Sequence, residues 1–175
     1  MSASVLSVTD LSVNLALPDG EARTLLDKVS LDLGKSEVLG LVGESGSGKS
    51  LFCRTLVRLL PSQNMRIAGG RIMLGELDLA KASEAEMLSI RGGRIGMIFQ
   101  SPTSHLDPVM SIGGQLVEGI RYHQGLDARA ARKAAIDILR QIGFPEPERQ
   151  FDAYPHEFSG GMRQRAMIGV ALSCN

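Results

Sequence analysis

The fold is decided by the stretch Gly43-Glu44-Ser45-Gly46-Ser47-Gly48-Lys49-Ser50, which matches the pattern G-x-x-x-x-G-K-[ST]. Its glycines allow the backbone to turn tightly, so that consecutive amides can point at phosphate oxygens. Lys49 can reach the β- and γ-phosphates of a nucleotide, and the Ser50 hydroxyl can coordinate Mg²⁺. The stretch therefore predicts a phosphate-binding loop, or P-loop, rather than an ordinary glycine-rich turn.

The sequence on either side of this loop has the arrangement that a P-loop requires. Before it, Glu37-Val38-Leu39-Gly40-Leu41-Val42 is a short apolar run, as expected of a strand buried on both faces. After it, apolar residues recur at helical spacing from Ser50 to Leu60, and Pro61 ends the run. Strand, loop and helix together predict nucleotide binding.

The first forty residues have a different pattern, with alternating apolar and polar positions. Val5–Thr9, Leu11–Leu15 and Val29–Leu33 all alternate, and Pro18-Asp19-Gly20 is a turn signal. Alternation indicates strands with one face in water. We therefore expect an antiparallel sheet before the P-loop.

Short strands and a helix are predicted between the P-loop helix and residue 100. Arg71–Leu74 follows Gly69-Gly70 as a strand, and Ile95–Phe99 is a second candidate for a buried strand. Ser83-Glu84-Ala85-Glu86 matches a capping box, which begins a helix.

Helices dominate the remaining sequence. Asp127 is placed to cap a helix over residues 128–142, and Gly143 is placed to end it. A final helix should begin at Ser159. The predicted fold is α/β, with a P-loop core, an N-terminal antiparallel β subdomain and an inserted helical subdomain.

Composition excludes several classes of function. Nineteen basic residues balance nineteen acidic ones, which argues against a broad nucleic-acid interface. No stretch approaches the roughly 18 apolar residues of a membrane span, and the N-terminus lacks the basic region of a signal peptide. Cys53 and Cys174 are expected to be reduced thiols in a cytosolic chain. The histidines are expected at the surface or hydrogen-bonded, with no metal site: His105, His123 and His156.

Ser159-Gly160-Gly161 alone indicates only a helix cap, but its surroundings are more specific. The run Tyr154–Arg165 closely resembles the signature motif of ATP-binding cassette (ABC) ATPases, and Gln100 resembles that family's Q-loop. The P-loop, Q-loop and signature occur in the family's order. The resemblance covers the whole chain and implies a core over residues 1–100, a helical subdomain over 101–158, and the signature motif and helix over 159–175.

The resemblance also implies a mechanism. In the family, two ATPase domains pair head to tail, so that the signature of one caps the ATP held by the P-loop of the other. Ser159, Gly160 and Gly161 would then form a second anion site at a helix N-terminus. Gln100 would serve catalysis and, with Ser50, bind Mg²⁺. The expected ligands are therefore ATP and Mg²⁺.

The resemblance is closest to the ATP-binding subunits of di- and oligopeptide importers. It extends through Met97–Gln100 and Leu106–Gly113, and Met162 agrees with that subgroup. The implied partners are a second ATPase subunit, transmembrane permease subunits that dock on residues 101–158 and, indirectly, a substrate-binding protein. The chain would then lie peripherally on the cytoplasmic face of the membrane.

Two departures from the family pattern affect the expectations. The family stacks adenine on an aromatic residue where this chain has Leu15, so we expect weaker base discrimination. The family's Asp-Glu strand end, with the general base, and its switch histidine have no counterpart here. We therefore expect a C-terminally truncated chain that binds ATP and hydrolyses it poorly alone.

Two other classes of function stay open at this point. One is an ATP-binding or dimerisation module that does not hydrolyse ATP. The other is a non-transport ABC ATPase, which the neutral charge and the absence of coiled-coil heptads disfavour.

Overall fold

A computed structural model describes residues 4–101 and 105–174, which form two compact units with the division between Leu88 and Ser89. The first unit contains strands and helices in this order: β1 (Ser4–Ala16), β2 (Ala22–Gly34), α1 (Lys49–Leu56), β3 (Met65–Leu74) and β4 (Leu77–Asp78). Helix α2 (Glu84–Ile90) crosses the division. The second unit contains α3 (Ile112–Gln124), α4 (Ala128–Gln141), α5 (Pro147–Gln150), a 3₁₀ turn (Pro155–Glu157) and α6 (Gly160–Leu172). The division into residues 1–100, 101–158 and 159–175 stays a prediction.

The first unit is built on a four-stranded antiparallel sheet in the order β2-β1-β3-β4. The two alternating runs predicted before the turn form one continuous strand, β1. Its register pairs Val13 with Leu26 of β2 and with Ile67 of β3. The buried side chains of the sheet are Val8, Leu11, Val13, Leu26, Ile72 and Leu74. The antiparallel sheet and its turn are therefore confirmed.

Two local irregularities shift the register of this sheet where the alternation of β1 is interrupted. Asp10 has a φ of 49°, and Gly70 on the neighbouring β3 has a φ of 90°. A Cβ on Gly70 would lie 2.5 Å from the carbonyl oxygen of Asp10, so no larger residue fits there without a backbone shift. The Gly69-Gly70 pair thus lies inside β3 and does not precede it.

Both predictions of buried strands flanking the nucleotide motifs are wrong for the described structure. Residues 37–44 form no strand, and Val38 and Val42 are 97% and 94% exposed. Residues 95–99 make one isolated bridge, Arg91 to Ile95, and Ile98 is 53% exposed. An apolar run becomes a strand only when neighbouring strands accept and donate its hydrogen bonds. No described strand pairs with either run.

Helix boundaries follow the predicted caps. Helix α1 ends at Leu56, earlier than the apolar spacing indicates, because Val57 leaves the helical conformation and Arg58 has a φ of 55°. At α2, the Ser83 amide and hydroxyl each donate to Glu86 Oε2 at 2.7 Å, and the Glu86 amide donates to Ser83 Oγ, which confirms the capping box. These hydrogen bonds to Ser83 lower the pKa of Glu86.

The second unit is helical around one apolar core. Asp127 Oδ1 accepts a hydrogen bond from the Ala130 amide at 2.8 Å, and Gly143 follows α4 with a φ of 82°, as predicted. The core unites α3, α4, α6 and the three phenylalanines around them: Ile112, Leu116, Ile120, Ala131, Ala135, Leu139, Phe144, Phe151, Phe158, Ala166 and Met167. Across residues 4–101 and 105–174, the structure has no helix with both the length and the apolar character of a membrane span.

Candidate phosphate-binding sites

The P-loop wraps around its own lysine. Lys49 Nζ donates hydrogen bonds to the carbonyl oxygens of Gly43 at 2.7 Å and Glu44 at 2.6 Å, and to Ser47 Oγ at 3.1 Å. A turn within the loop joins the Ser47 amide to the Glu44 carbonyl at 3.3 Å. The loop thus holds a positive charge at the N-terminus of α1, where the helix dipole adds to it, so an anion is attracted there.

Glycine is required at the end of the loop for two separate reasons. Gly48 caps α1 in the left-handed region, with a φ of 92°, and Gly46 has a φ of 84°. A Cβ on Gly48 would also lie 2.8 Å from Leu26 Cδ2 of the sheet. Gly48 therefore satisfies both backbone conformation and close packing against β2, whereas Gly46 satisfies backbone conformation alone.

Ser50 is the second residue of α1, and its side chain is exposed beside the loop. A hydroxyl at this point suits a hard cation such as Mg²⁺, which takes one or two protein oxygens and completes its shell with phosphates and water. Within the described residues, no group of three or more His, Cys, Asp or Glu side chains could hold a metal ion.

Leu15, the residue at the family's adenine position, lies on β1. It is half-buried in β1 and is paired with Arg23 of β2 and Met65 of β3. Two residues before it, Val13 is paired with Leu26, the residue against which Gly48 packs.

The second predicted anion site is the start of α6 in the second unit. Ser159 Oγ accepts a hydrogen bond from the Met162 amide at 3.3 Å, so Ser159 is the predicted N-cap. Gly160 and Gly161 are exposed, and a Cβ built on either would meet nothing within 4 Å. In the following turn, the Nε atom of Arg163 is buried and has no hydrogen-bond partner among the described residues.

Gln100 lies in the second unit, in a non-helical segment, and its side chain is exposed. Beside it, the Phe99 ring stacks on the His105 ring with centroids 3.9 Å apart and planes 6° from parallel. His105 Nδ1 lies 2.8 Å from the Ser101 carbonyl oxygen. The prediction for His105 is therefore confirmed: it is exposed and hydrogen-bonded.

One buried polar residue of this region was not among the predicted site residues. Gln115 is 9% exposed, on the second turn of α3 among the core residues. Its side-chain amide makes three hydrogen bonds to backbone atoms of Asp107 and Met110. The signal in the sequence was a glutamine between Ile112 and Leu116, within an apolar helical stripe.

The chain matches one protein family over most of its length. The family model described as "ABC transporter" matches residues 26–175. The oligopeptide transport ATP-binding protein OppD of Bacillus subtilis (strain 168) is 41% identical over 171 residues, which cover 98% of this chain and 48% of that protein. A putative peptide import ATP-binding protein of Brucella abortus (strain 2308) is 44% identical over 172 residues, covering 98% and 51%. The chain spans about half the length of these curated relatives.

Solved structures share the fold at lower sequence identity. A dimeric bacterial ABC transporter cassette, MJ0796, superposes with a TM-score of 0.82 at 23% identity, covering 97% of this chain and 70% of its own. CbiO1 of Clostridium perfringens, part of the ABC transporter complex CbiONQ, gives a TM-score of 0.74 at 23% identity, covering 98% and 62%. At these identities the likeness shows the fold.

Proposed function

The chain belongs to the ABC transporter family, and from this premise we propose that it is the ATP-binding part of a subunit that powers peptide import. The observation that carries the proposal is the P-loop, where the Lys49 ammonium is held by the carbonyls of Gly43 and Glu44 at the start of α1. A fixed cation and a helix N-terminus at one point bind the β- and γ-phosphates of ATP.

Each motif has a separate role in the proposed site. The amides of Gly43–Ser50 surround the phosphates, and the Ser50 hydroxyl and the Gln100 side-chain oxygen are the proposed protein ligands of Mg²⁺. When bound, Mg²⁺ neutralises charge that develops on the phosphates. Gln100 has a second role, linking the γ-phosphate to the helical unit.

The start of α6 is proposed to act on a second copy or a related subunit. Ser159 and the amides of Gly160 and Gly161 would bind the γ-phosphate of ATP held by that partner, head to tail. The open space at both glycines supports this role, because no contact within the described chain requires glycine there.

The base of the nucleotide is proposed to lie against Leu15. An aliphatic side chain covers one face of a purine but adds no ring stacking, so discrimination between ATP and GTP should be weak. The test compares ATP and GTP affinities of the chain with those of the Leu15→Tyr variant. A wild-type preference equal to that of the variant would contradict the proposal.

The transport role rests on the peptide-importing relatives and on the subgroup resemblance. Permease subunits and a separate substrate-binding protein are the proposed partners, and they place the chain peripherally at the cytoplasmic face of the membrane. Copurification of the chain with transmembrane permease subunits would support this role. Copurification with nucleic acid instead would favour a non-transport ABC ATPase.

The deciding experiment is a binding titration of MgATP with the purified chain. We expect binding that falls at least a hundredfold in Lys49→Ala, because the charge that meets the phosphates is removed. Lys35→Ala removes an exposed lysine outside the loop and serves as the matched control. Equal affinity of Lys49→Ala and wild type would exclude the P-loop as the binding site.

Hydrolysis is tested separately by phosphate release. Neither the P-loop nor the α6 start has a residue proposed as general base, and loss of such a base typically costs ~10²–10⁴-fold. We therefore propose that the 175-residue chain binds MgATP with little turnover. Phosphate release at the rate of an intact transport ATPase, abolished in Lys49→Ala, would contradict this.

A further inference from the structure

The loop Asp107–Met110, just before α3, is held by one buried side chain. Gln115 Nε2 donates hydrogen bonds to the carbonyl oxygens of Asp107 and Met110, both at 3.0 Å. Gln115 Oε1 accepts from the Asp107 amide, also at 3.0 Å. Both amide hydrogens and the oxygen of a 9% exposed side chain are thus bonded to one short loop.

The same loop is fixed by two further contacts. The Val109 amide donates to Asp107 Oδ1 at 2.9 Å, which closes an Asx turn. Leu106 is 4% exposed and belongs to the apolar core shared with α3. Residues Leu106–Met110 are therefore attached to α3 and are expected to move with it.

His105, which precedes this loop, contacts the residues on both sides of Gln100. His105 stacks on Phe99 and has Nδ1 2.8 Å from the Ser101 carbonyl oxygen. These two partners are the neighbours of Gln100 on either side. His105 is also next to the buried Leu106, so it joins the residues around Gln100 to the loop that Gln115 holds.

We propose that Gln115 and His105 are positioning residues for Gln100. Gln115 fixes Asp107–Met110 to α3, and His105 extends this fixed segment to the two neighbours of Gln100. Any displacement of α3 then changes where the Gln100 side chain lies. The proposal rests on the function proposed above for Gln100, contact with Mg²⁺ and the γ-phosphate side of ATP.

The test measures how strongly the full chain prefers MgATP to MgADP, by calorimetric titration of both. We expect Gln100→Ala to lower the affinity ratio about tenfold, the typical loss for a hydrogen bond to a charged group. Gln115→Met keeps the length of the side chain and removes its three hydrogen bonds. It should lower the ratio at least threefold, with the MgADP dissociation constant changed less than twofold.

Two further variants separate positioning from general stability. In Gln100→Ala/Gln115→Met the ratio should equal that of Gln100→Ala alone, because Gln115 acts only through Gln100. Gln124→Met is the matched control, since it removes a hydrogen bond from Gln124 Nε2 to the Ser173 carbonyl at the other end of α3. It should leave the ratio unchanged.

Substitution of the exposed His105 tests the same affinity ratio independently of Gln115. His105→Ala should lower the ratio, and His105→Phe, which keeps the ring stacked on Phe99, should restore part of it. If Gln115→Met fails to fold, His105→Ala carries the test, and a wild-type ratio in that variant overturns the proposal. A wild-type ratio in folded Gln115→Met, or additive effects in the double variant, also overturns it.

The outcomes for the proposed function are distinct from these. If the wild-type chain binds neither nucleotide, or if Lys49→Ala binds both normally, the proposed function fails, and the positioning proposal fails with it. If Lys49→Ala weakens binding of both nucleotides but Gln115→Met and His105→Ala leave the affinity ratio unchanged, only the positioning proposal fails.

Discussion

The starts of α1 and α6 both carry glycines and both are proposed to bind phosphate, but they are built differently. At α1, backbone conformation and one close contact within the chain account for Gly46 and Gly48. Gly48 is in the left-handed region, with a φ of 92°, and its missing side chain makes room for Leu26. Lys49 already fills the centre of the loop with hydrogen bonds to loop oxygens. The residues of this helix start are therefore explained by contacts and conformation within the chain.

At α6, contacts among residues 4–101 and 105–174 account for Ser159 but not for the two glycines after it. Its hydroxyl caps the helix, whereas Gly160 and Gly161 face open space. Two adjacent glycines cost helix stability, because glycine loses more backbone freedom than alanine on entering a helix. No contact among the described residues requires these two glycines, which fits the proposed close approach of another subunit. The two glycine-rich motifs thus differ: local structure explains the first, and the proposed interface with a second subunit would explain the second.

The largest effect is expected at Gly48. Gly48→Ala combines about 1–2 kcal/mol of left-handed strain with about 1–3 kcal/mol for overpacking against Leu26, and it should also weaken MgATP binding at least tenfold. Gly46→Ala is the matched control, since Gly46 has a φ of 84° but open space at its Cβ. It should show the strain alone in thermal unfolding. Equal destabilisation by the two variants would show that contact with Leu26 does not matter.

The next effect is expected at Ser159. Ser159→Ala should destabilise the chain by about 1 kcal/mol, the usual cost of losing an N-cap. Asp127→Ala removes the equivalent cap of α4 and should cost a similar amount. ATP-dependent dimerisation, measured by analytical ultracentrifugation, should fall only in Ser159→Ala. If Asp127→Ala reduces dimerisation as much as Ser159→Ala does, the start of α6 has no specific role in dimerisation.

A smaller effect of opposite sign is expected at Gly161. Gly161→Ala should stabilise the chain by about 0.5–1 kcal/mol, because alanine is the better helix former and its Cβ meets no atom. The same variant should weaken ATP-dependent dimerisation, since the added methyl group obstructs the proposed phosphate of the partner. If Gly161→Ala stabilises the chain and leaves dimerisation unchanged, Gly161 has no role in binding the partner's phosphate.

The smallest effect is expected at a third helix start, α2, which has no glycine and no proposed ligand. The pKa of Glu86 is lowered by its hydrogen bonds to Ser83, so the folded chain holds this carboxylate ionised more readily than the unfolded chain. Its contribution to stability is therefore present above the ordinary pKa of glutamate and is lost as the pH falls through the lowered value.

The measurement for α2 compares unfolding of wild type and Glu86→Gln across that pH range. The difference between them should be present at pH 7 and should disappear below the lowered pKa. Lys49→Ala keeps Glu86, so its free energy of unfolding should differ from that of wild type by a constant amount over the same pH range. A Glu86→Gln difference that persists in acid would show that charge is not involved.

Much of the fold could be predicted from the sequence, because its signals are local. Asp127, Ser159 and the Ser83–Glu86 pair each satisfy amides one turn away, so the caps of α4, α6 and α2 were predictable. The alternation of β1 and β2 gave the antiparallel sheet. The P-loop was predictable because its glycines, lysine and serine act within eight consecutive residues.

The tertiary structure alone decided features that depend on distant partners. Two apolar runs, residues 37–42 and 95–99, have the composition of buried strands but do not form strands. A strand needs neighbouring strands to hydrogen-bond with, and its own sequence cannot supply them. The buried hydrogen bonds of Gln115 depend on a loop five to eight residues away folding back onto α3. The P-loop motif and the helix ends were predictable from the sequence, because their residues interact over one or two turns of chain. Only tertiary structure decided which glycines are packed and which are open, because that depends on side chains brought together from distant positions.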